Sequence, residues 1–425
     1  MMYWIYNTIL VVLLPLVALY AVMRGRGVSR LRHGFKERSG RLAFKRSDKR
    51  DRAVWFHASS VGEVQMTVPL IHAVEERFPD HRPFLSTMTE TGRETAQRLL
   101  GKQTTTFFFP LDFPWITSRV LDEVNPRALF VAETEIWPNL LYQCHRRDIP
   151  VVLFNGRISD RSFRRYRSFR FFFKEVLHCV NAFGMQTEND AERIIEIGAL
   201  RKRVVITGNL KFDRPVIQPD EGETKKITAS LGLAEGRPVF VAGSTHDGEE
   251  GVVLQTFRGL KQIEPALVLI LAPRHLTRLN DIIAILNREG FSWVQRSRVS
   301  SEGFTGDVIL LDTMGELDGI YGIGDLTFVG GSLVPVGGHN ILEPAAFGKP
   351  VMYGPHMENF REVARRIEAE GAGVQVRDGR ELLEQARRLL TDRTHYGRMS
   401  RAAIRAIQRN QGALEKTLRI LAAYL

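Results

Sequence analysis

Phe328-Val329-Gly330-Gly331-Ser332 opens a stretch that runs through Gly337-Gly338-His339-Asn340-Ile341-Leu342-Glu343-Pro344 to Gly348-Lys349-Pro350-Val351. It reads as a strand, a glycine loop, a short helix starting near Asn340 and a second strand. Glycines there let the backbone approach a phosphate, the helix amides face an anion, and Glu343 can accept hydrogen bonds from ribose hydroxyls. A glycine-rich turn alone says little, but a strand on each side supplies the context that a nucleotide site needs.

Outward from this stretch, short apolar runs alternate with helical periods, the pattern of βαβ units and parallel sheets. Residues 54–58, 82–86, 128–132, 150–154, 182–186 and 204–207 read as strands of a first sheet. Residues 238–242, 267–272, 292–295, 308–311, 326–330 and 350–353 read as strands of a second. A chain of 425 residues exceeds what one core organises. The expected division is an apolar anchor over 1–23, a basic segment over 24–52, a first α/β domain over 53–212, a linker over 213–226, a second α/β domain over 227–405, and a C-terminal helix over 406–425 that can fold back on the first domain. Two doubly wound domains facing a cleft would place their motifs on strand-to-helix loops.

With 44% hydrophobic and 25% charged residues the composition is globular, which excludes a disordered or polytopic chain. The net charge of +11 predicts attraction to phosphates or anionic lipid. Residues 2–23 form an uncharged, mainly apolar run of bilayer-spanning length with Tyr3, Trp4, Tyr6 and Tyr20 near its ends. The Arg/Lys-rich segment after it predicts a cytoplasmic catalytic portion by the positive-inside rule. A cleaved signal peptide and a helix docked on its own domain are the competing readings. Cys144 and Cys179, far apart, suit a reducing compartment and make no metal motif.

The first sheet carries acids at its strand ends. His57-Ala58-Ser59-Ser60-Val61-Gly62-Glu63 puts Glu63 in a first helical turn, where it is either a base for an attacking hydroxyl or a complement to the helix dipole. Phe130-Val131-Ala132-Glu133-Thr134-Glu135-Ile136-Trp137-Pro138-Asn139 sends Glu133 and Glu135 into another strand-to-helix turn, where an acid can also cap amides. Lys211, in Gly208-Asn209-Leu210-Lys211-Phe212, either neutralises a donor anion or is a solvated linker lysine. In the second sheet, Gly243, Ser244, Thr245 and His246 offer small residues to an anion. Arg274, after Pro273, can grip a phosphate or form a salt bridge. Phe163 to Lys174 mixes aromatics and arginines along one helix, for a lipid interface or for a core with Phe169, Phe172 and Phe173 buried. No Walker A, GxGxxG, GxSxG, HExxH or DxD motif occurs, which removes support for ATPase, dinucleotide, esterase, zincin and DxD-transferase readings.

Taken together, SVGE at Ser60 to Glu63, ETEIWPN at Glu133 to Asn139, NGRIS at Asn155 to Ser159, GNLKFD at Gly208 to Asp213, GSTHDGEE at Gly243 to Glu250 and GGHNILEPAAFGKPV at Gly337 to Val351 resemble the 3-deoxy-D-manno-octulosonic acid (Kdo) transferase family. Ser59 departs from the valine expected in the family's HAVSVGE. The resemblance implies a GT-B fold and inverting transfer of Kdo from CMP-Kdo to a lipid A precursor at the inner membrane, with no cofactor and no metal, while the membrane-length run makes nucleic acid the weaker partner reading. It implies Glu63 as base and Glu133 and Lys211 as transition-state stabilisers. CMP contacts would come from Pro273, Arg274, Met314, Gly315, Glu316, Asn340, Ile341, Leu342 and Glu343. The alternative is another GT-B transferase, or a sugar-nucleotide epimerase, with a uridine donor.

Overall fold

A computed structural model describes residues 3–12, 34–42, 44, 52–101, 104–213, 216–217, 221–299 and 303–425. The chain divides into two compact units, Met1–Asp213 with Gly412–Leu425, and Arg214–Gln411.

The first unit carries β1 (Arg52–His57), β2 (His81–Thr87), β3 (Thr105–Phe108), β4 (Ala128–Ala132), β5 (Val151–Gly156), β6 (Ala182–Met185) and β7 (Val204–Ile206). They form one seven-stranded sheet in the order β3-β2-β1-β4-β5-β6-β7. Every pairing is parallel, with Val54 opposite Ala128 and His57 opposite Val131. Period-two alternation sorts the side chains: Val54, Phe56, Ala128 and Phe130 enter one core, and Trp55, Leu129 and Val131 enter the other. Both faces are covered by helices, so the strands read as unbroken apolar runs. Burial of Phe56 and of Phe130, each fully inaccessible, stabilises by about 2–3 kcal/mol.

The second unit carries β8 (Val239–Thr245), β9 (Val268–Pro273), β10 (Trp293–Gln295), β11 (Val308–Leu310), β12 (Leu326–Val329), β13 (Val351–Tyr353) and β14 (Gly373–Gln375). Their order is β10-β11-β9-β8-β12-β13-β14, again parallel throughout. Strand order reverses at β1/β4 in the first sheet and at β8/β12 in the second, and a doubly wound sheet binds ligands beyond the carboxyl ends of its strands at such points.

Several expectations change. β3 and β14 are additional strands, both at sheet edges. Within the expected 213–226 linker, residues from Glu221 begin a helix that continues to Ser230. The expected 406–425 helix is broken: Arg393–Asn410 is one helix of the second unit, and Ala413–Ala422 is another, packed in the first unit's core through Ala413, Leu418 and Leu421. Gly412, at φ 88°, supplies the left-handed break.

The 163–174 stretch is two helices, Asp160–Ser168 and Arg170–His178, meeting at Phe169. Phe172 and Phe173 pack against the core, whereas Phe169 and Phe171 are 53% and 60% exposed. Neither a fully lipid-facing helix nor a fully core-packed aromatic set describes it.

At the amino-terminal end residues 3–12 are helical, and 13–23 lie outside the described residues. Among the described residues no helix is long and apolar enough to cross a membrane. Tyr6 donates to Asp112 at 3.0 Å, Asn139 Nδ2 donates to Asn7 Oδ1 at 2.7 Å, and Tyr3 packs on Tyr142. Trp4, Ile5, Ile9, Val11 and Val12 stay exposed. In the basic segment, Arg38 is engaged within the protein, donating to the Met88 carbonyl and lying over the Phe108 ring.

Candidate active site

The β1/β4 switch point of the first unit gathers three carboxylates. Glu63 lies in the first turn of the helix Val61–Arg77, which follows β1. Its Oε2 accepts from the Ser59 N–H at 2.8 Å and its Oε1 from the Ser60 hydroxyl at 2.9 Å. The bond from residue 59 comes from its backbone, so the serine that departs from the family pattern leaves it intact. Burial raises the Glu63 carboxyl to about 7, and the charges of Glu133 and Glu135 add to that against the two hydrogen bonds. A helix-dipole complement would be an easily ionised acid, whereas a carboxyl poised near neutrality can take a proton and give it up again. Burial raises Glu135 as well. His57, in the same motif, is fully buried against Phe109, bonded to Ser86 Oγ at 3.0 Å and held at about 3 by burial, which leaves it neutral and structural.

Glu133 leaves β4 with φ 56°, and Asn155 sits in β5 with φ 54°. Neighbouring non-glycine residues in the left-handed region mark a constrained site. The Glu133 N–H donates to the Phe154 carbonyl at 2.8 Å, and Thr134 Oγ1 donates to the Arg157 carbonyl at 2.7 Å, tying the two strand ends together. Asn155 Oδ1 in turn accepts from the Leu210 N–H at 2.9 Å, fixing the turn that carries Lys211, whose own N–H donates to Asn209 Oδ1 at 3.0 Å. Thus the buried asparagine of the NGRIS motif, lying between the two residues that hold the acidic loop, fixes the lysine turn. Sequence reading quoted Asn155 without assigning it this role.

In the second unit the β8/β12 switch point is built around Glu249, a residue that sequence reading did not single out. Glu249 opens the helix Glu249–Lys261 and is fully buried. One carboxylate oxygen accepts from His246 N at 2.9 Å and Gly331 N at 2.7 Å, the other from Ser332 N at 3.0 Å and Leu333 N at 2.8 Å. A single side chain therefore pins the loop after β12 to the loop after β8. Gly330 is required by the same closeness: a Cβ there would meet Glu249 Oε2 and the Ser244 carbonyl, each at 2.7 Å. The neighbouring Glu250 holds Arg278 at 2.7 Å.

His246 and His339 meet at 2.8 Å between their Nε2 atoms, with rings nearly parallel, one donating and the other accepting. Burial and then the Arg274 charge lower His339 to about 4, so it is neutral at pH 7. Arg274 follows β9, exposed, with its backbone N–H on the Thr245 carbonyl at 3.0 Å. Of the other expected donor residues, Met314 and Gly315 sit exposed in the loop after β11, and Glu316 accepts from Arg296 at 2.8 Å. Asn340 Oδ1 accepts from Leu342 N at 3.2 Å and its Nδ2 donates to Glu343 at 3.3 Å. The helix here is only Leu342–Ala346, starting two residues later than expected, because Asn340 forms the turn that precedes it. Ile341 and Leu342 are fully buried, so their side chains pack in the core and only their backbone can face a ligand. Pro273 ends β9 and Gly243 to Thr245 end β8, while Arg274, Met314 to Glu316 and Asn340 to Glu343 follow β9, β11 and β12, so all lie at the carboxyl end of the sheet. Among the described residues no cluster of His, Cys, Asp and Glu is arranged to hold a metal.

Comparison with known proteins agrees with the motifs. Residues 33–214 match the 3-Deoxy-D-manno-octulosonic-acid transferase (kdotransferase) family. The chain is 34% identical to the 3-deoxy-D-manno-octulosonic acid transferase of Haemophilus influenzae, over 99% of this chain and 98% of that protein. It is 35% identical to the enzyme of that name from Bordetella pertussis, over 88% and 87%. Among solved structures, the UDP-GlcNAc 2-epimerase from Neisseria meningitidis bound to UDP-GlcNAc superposes with a TM-score of 0.56 at 13% identity, covering 88% of this chain and 99% of that one. That likeness shows the fold alone, a GT-B-like pair of doubly wound sheets.

Proposed function

Since the chain belongs to the 3-deoxy-D-manno-octulosonic acid transferase family, we propose that it transfers Kdo from CMP-Kdo to a lipid A precursor in lipopolysaccharide synthesis. The observation that carries the mechanism is the Glu63 carboxyl, raised to about 7 and oriented by Ser59 and Ser60. Glu63 takes the proton of a glucosamine hydroxyl, the freed oxygen attacks the anomeric carbon of Kdo, and the bond to the CMP phosphate breaks with inversion. Glu133 and Lys211 stabilise the transition state. Arg274 and the Gly337 to Glu343 segment hold CMP. Charge neutralisation falls to these side chains, without a cofactor or metal ion.

We place the reaction at the cytoplasmic face of the inner membrane. The uncharged apolar run over 2–23, the basic residues after it and the exposed Trp4, Ile5, Ile9, Val11 and Val12 support that reading.

Incubation of the purified protein with CMP-Kdo and a lipid A precursor, followed by mass spectrometry, tests donor, acceptor and number of additions together. Glu63→Gln should lower transfer by about a thousandfold while CMP still protects the protein against thermal unfolding. Full turnover by that variant removes Glu63 from the mechanism, and protection by UDP in place of CMP favours the uridine-donor alternative.

A further inference from the structure

A concavity of about 560 Å³ on the second unit is lined by Arg388, His395, Arg398, Arg401, Arg405 and Glu370, away from the strand-end loops described above. Arg388 lies in the last turn of the helix Gly379–Thr391, and the other three arginines lie on one side of the helix Arg393–Asn410 at spacings of three and four. Like charges so spaced on a helix repel one another. Among the described residues none of the four guanidiniums has a carboxylate partner, and Glu370 is already held by Arg409 at 2.8 Å and 3.0 Å. His395 Nε2 is buried there with no hydrogen-bond partner among the described residues, while the residue's backbone N–H is taken by Asp392 at 2.8 Å. Burial, and then the charges of Arg388 and Arg398, lower the imidazole below its ordinary value.

The four arginines are exposed around the concavity, and together with the orphaned ring nitrogen they are complementary to a multivalent oxyanion, because guanidinium forks match phosphate oxygens. We propose that this concavity is a binding site for a phosphate or pyrophosphate group, carried by a soluble molecule or by a lipid headgroup. It is separate from the donor site and does not depend on the assignment of the reaction.

The test uses the full chain with saturating CMP, so that the donor region is filled, at constant ionic strength. Calorimetric titration with inorganic pyrophosphate and flotation with phosphatidylglycerol or phosphatidylcholine vesicles are run on the wild type and on Arg398→Gln/Arg401→Gln. Arg388→Gln/Arg405→Gln serves as a second variant should the first fold poorly. The expected result is a loss on the order of tenfold or more in one of the two binding assays, with CMP affinity unchanged. Loss of pyrophosphate binding identifies a soluble ligand. Loss of flotation specific to phosphatidylglycerol identifies a headgroup. Equal behaviour of wild type and variants in both assays, or no binding by the wild type in either, overturns the proposal.

Discussion

Replacing Glu249 by Gln removes the charge from a carboxylate that accepts from four backbone N–H groups, those of His246, Gly331, Ser332 and Leu333. The amide oxygen of Gln can serve two of them, and its NH2 group then confronts the other two. Charge-assisted hydrogen bonds contribute about 1.5–3 kcal/mol each, so two lost bonds cost about 3–6 kcal/mol. For a unit of this size that lowers the melting temperature by roughly 6–24 °C. The loss falls on the loops after β8 and β12, so CMP affinity should weaken on the order of tenfold or more, and KM for the donor should rise more than kcat falls. Differential scanning calorimetry with and without CMP reads both effects. Melting within about 2 °C of wild type, together with unchanged CMP affinity, would refute the assignment of Glu249 as the residue that positions this loop.

Two further outcomes concern the first unit. Because the Glu63 carboxyl is raised to about 7 and acts when ionised, transfer should rise with pH through a single ionisation centred near 7 and level off above it. A midpoint near the ordinary glutamate value in a kcat/KM profile would contradict this environment. Asn155→Ala leaves the Leu210 N–H without its acceptor and puts alanine at a positive φ, destabilising by about 2–4 kcal/mol. Transfer should fall on the order of tenfold while CMP affinity holds, and equal losses in both would mean that the substitution does not act through the Lys211 turn.

The central strands were legible because burial on both faces makes them continuous apolar runs, as in Val54 to Phe56 and Leu269 to Leu271. The two that escaped, β3 at Thr105–Phe108 and β14 at Gly373–Gln375, are edge strands of four and three residues with half-exposed or polar members. Nothing in their periodicity separates them from loops. Glu63, Glu133 and Arg274 could be picked out because each follows an evident strand. Glu249 sits in the GSTHDGEE run in plain view, but an acid in a first helical turn is expected there anyway. Its meaning lies in partners more than eighty positions along the chain, and His246 reveals its pairing with His339 only in three dimensions.

The helix Ala413–Ala422 belongs to the core of the first unit although the whole of the second unit precedes it in sequence. Asp213, at the exit from the first unit, accepts from Gly412 N at 3.1 Å and from Leu414 N, so departure and return are clasped together. During translation, the amino-terminal sheet therefore leaves the ribosome with one hydrophobic flank uncovered and waits for nearly two hundred further residues before it can close. Such a flank is an aggregation hazard and a natural place for a chaperone to hold the nascent chain.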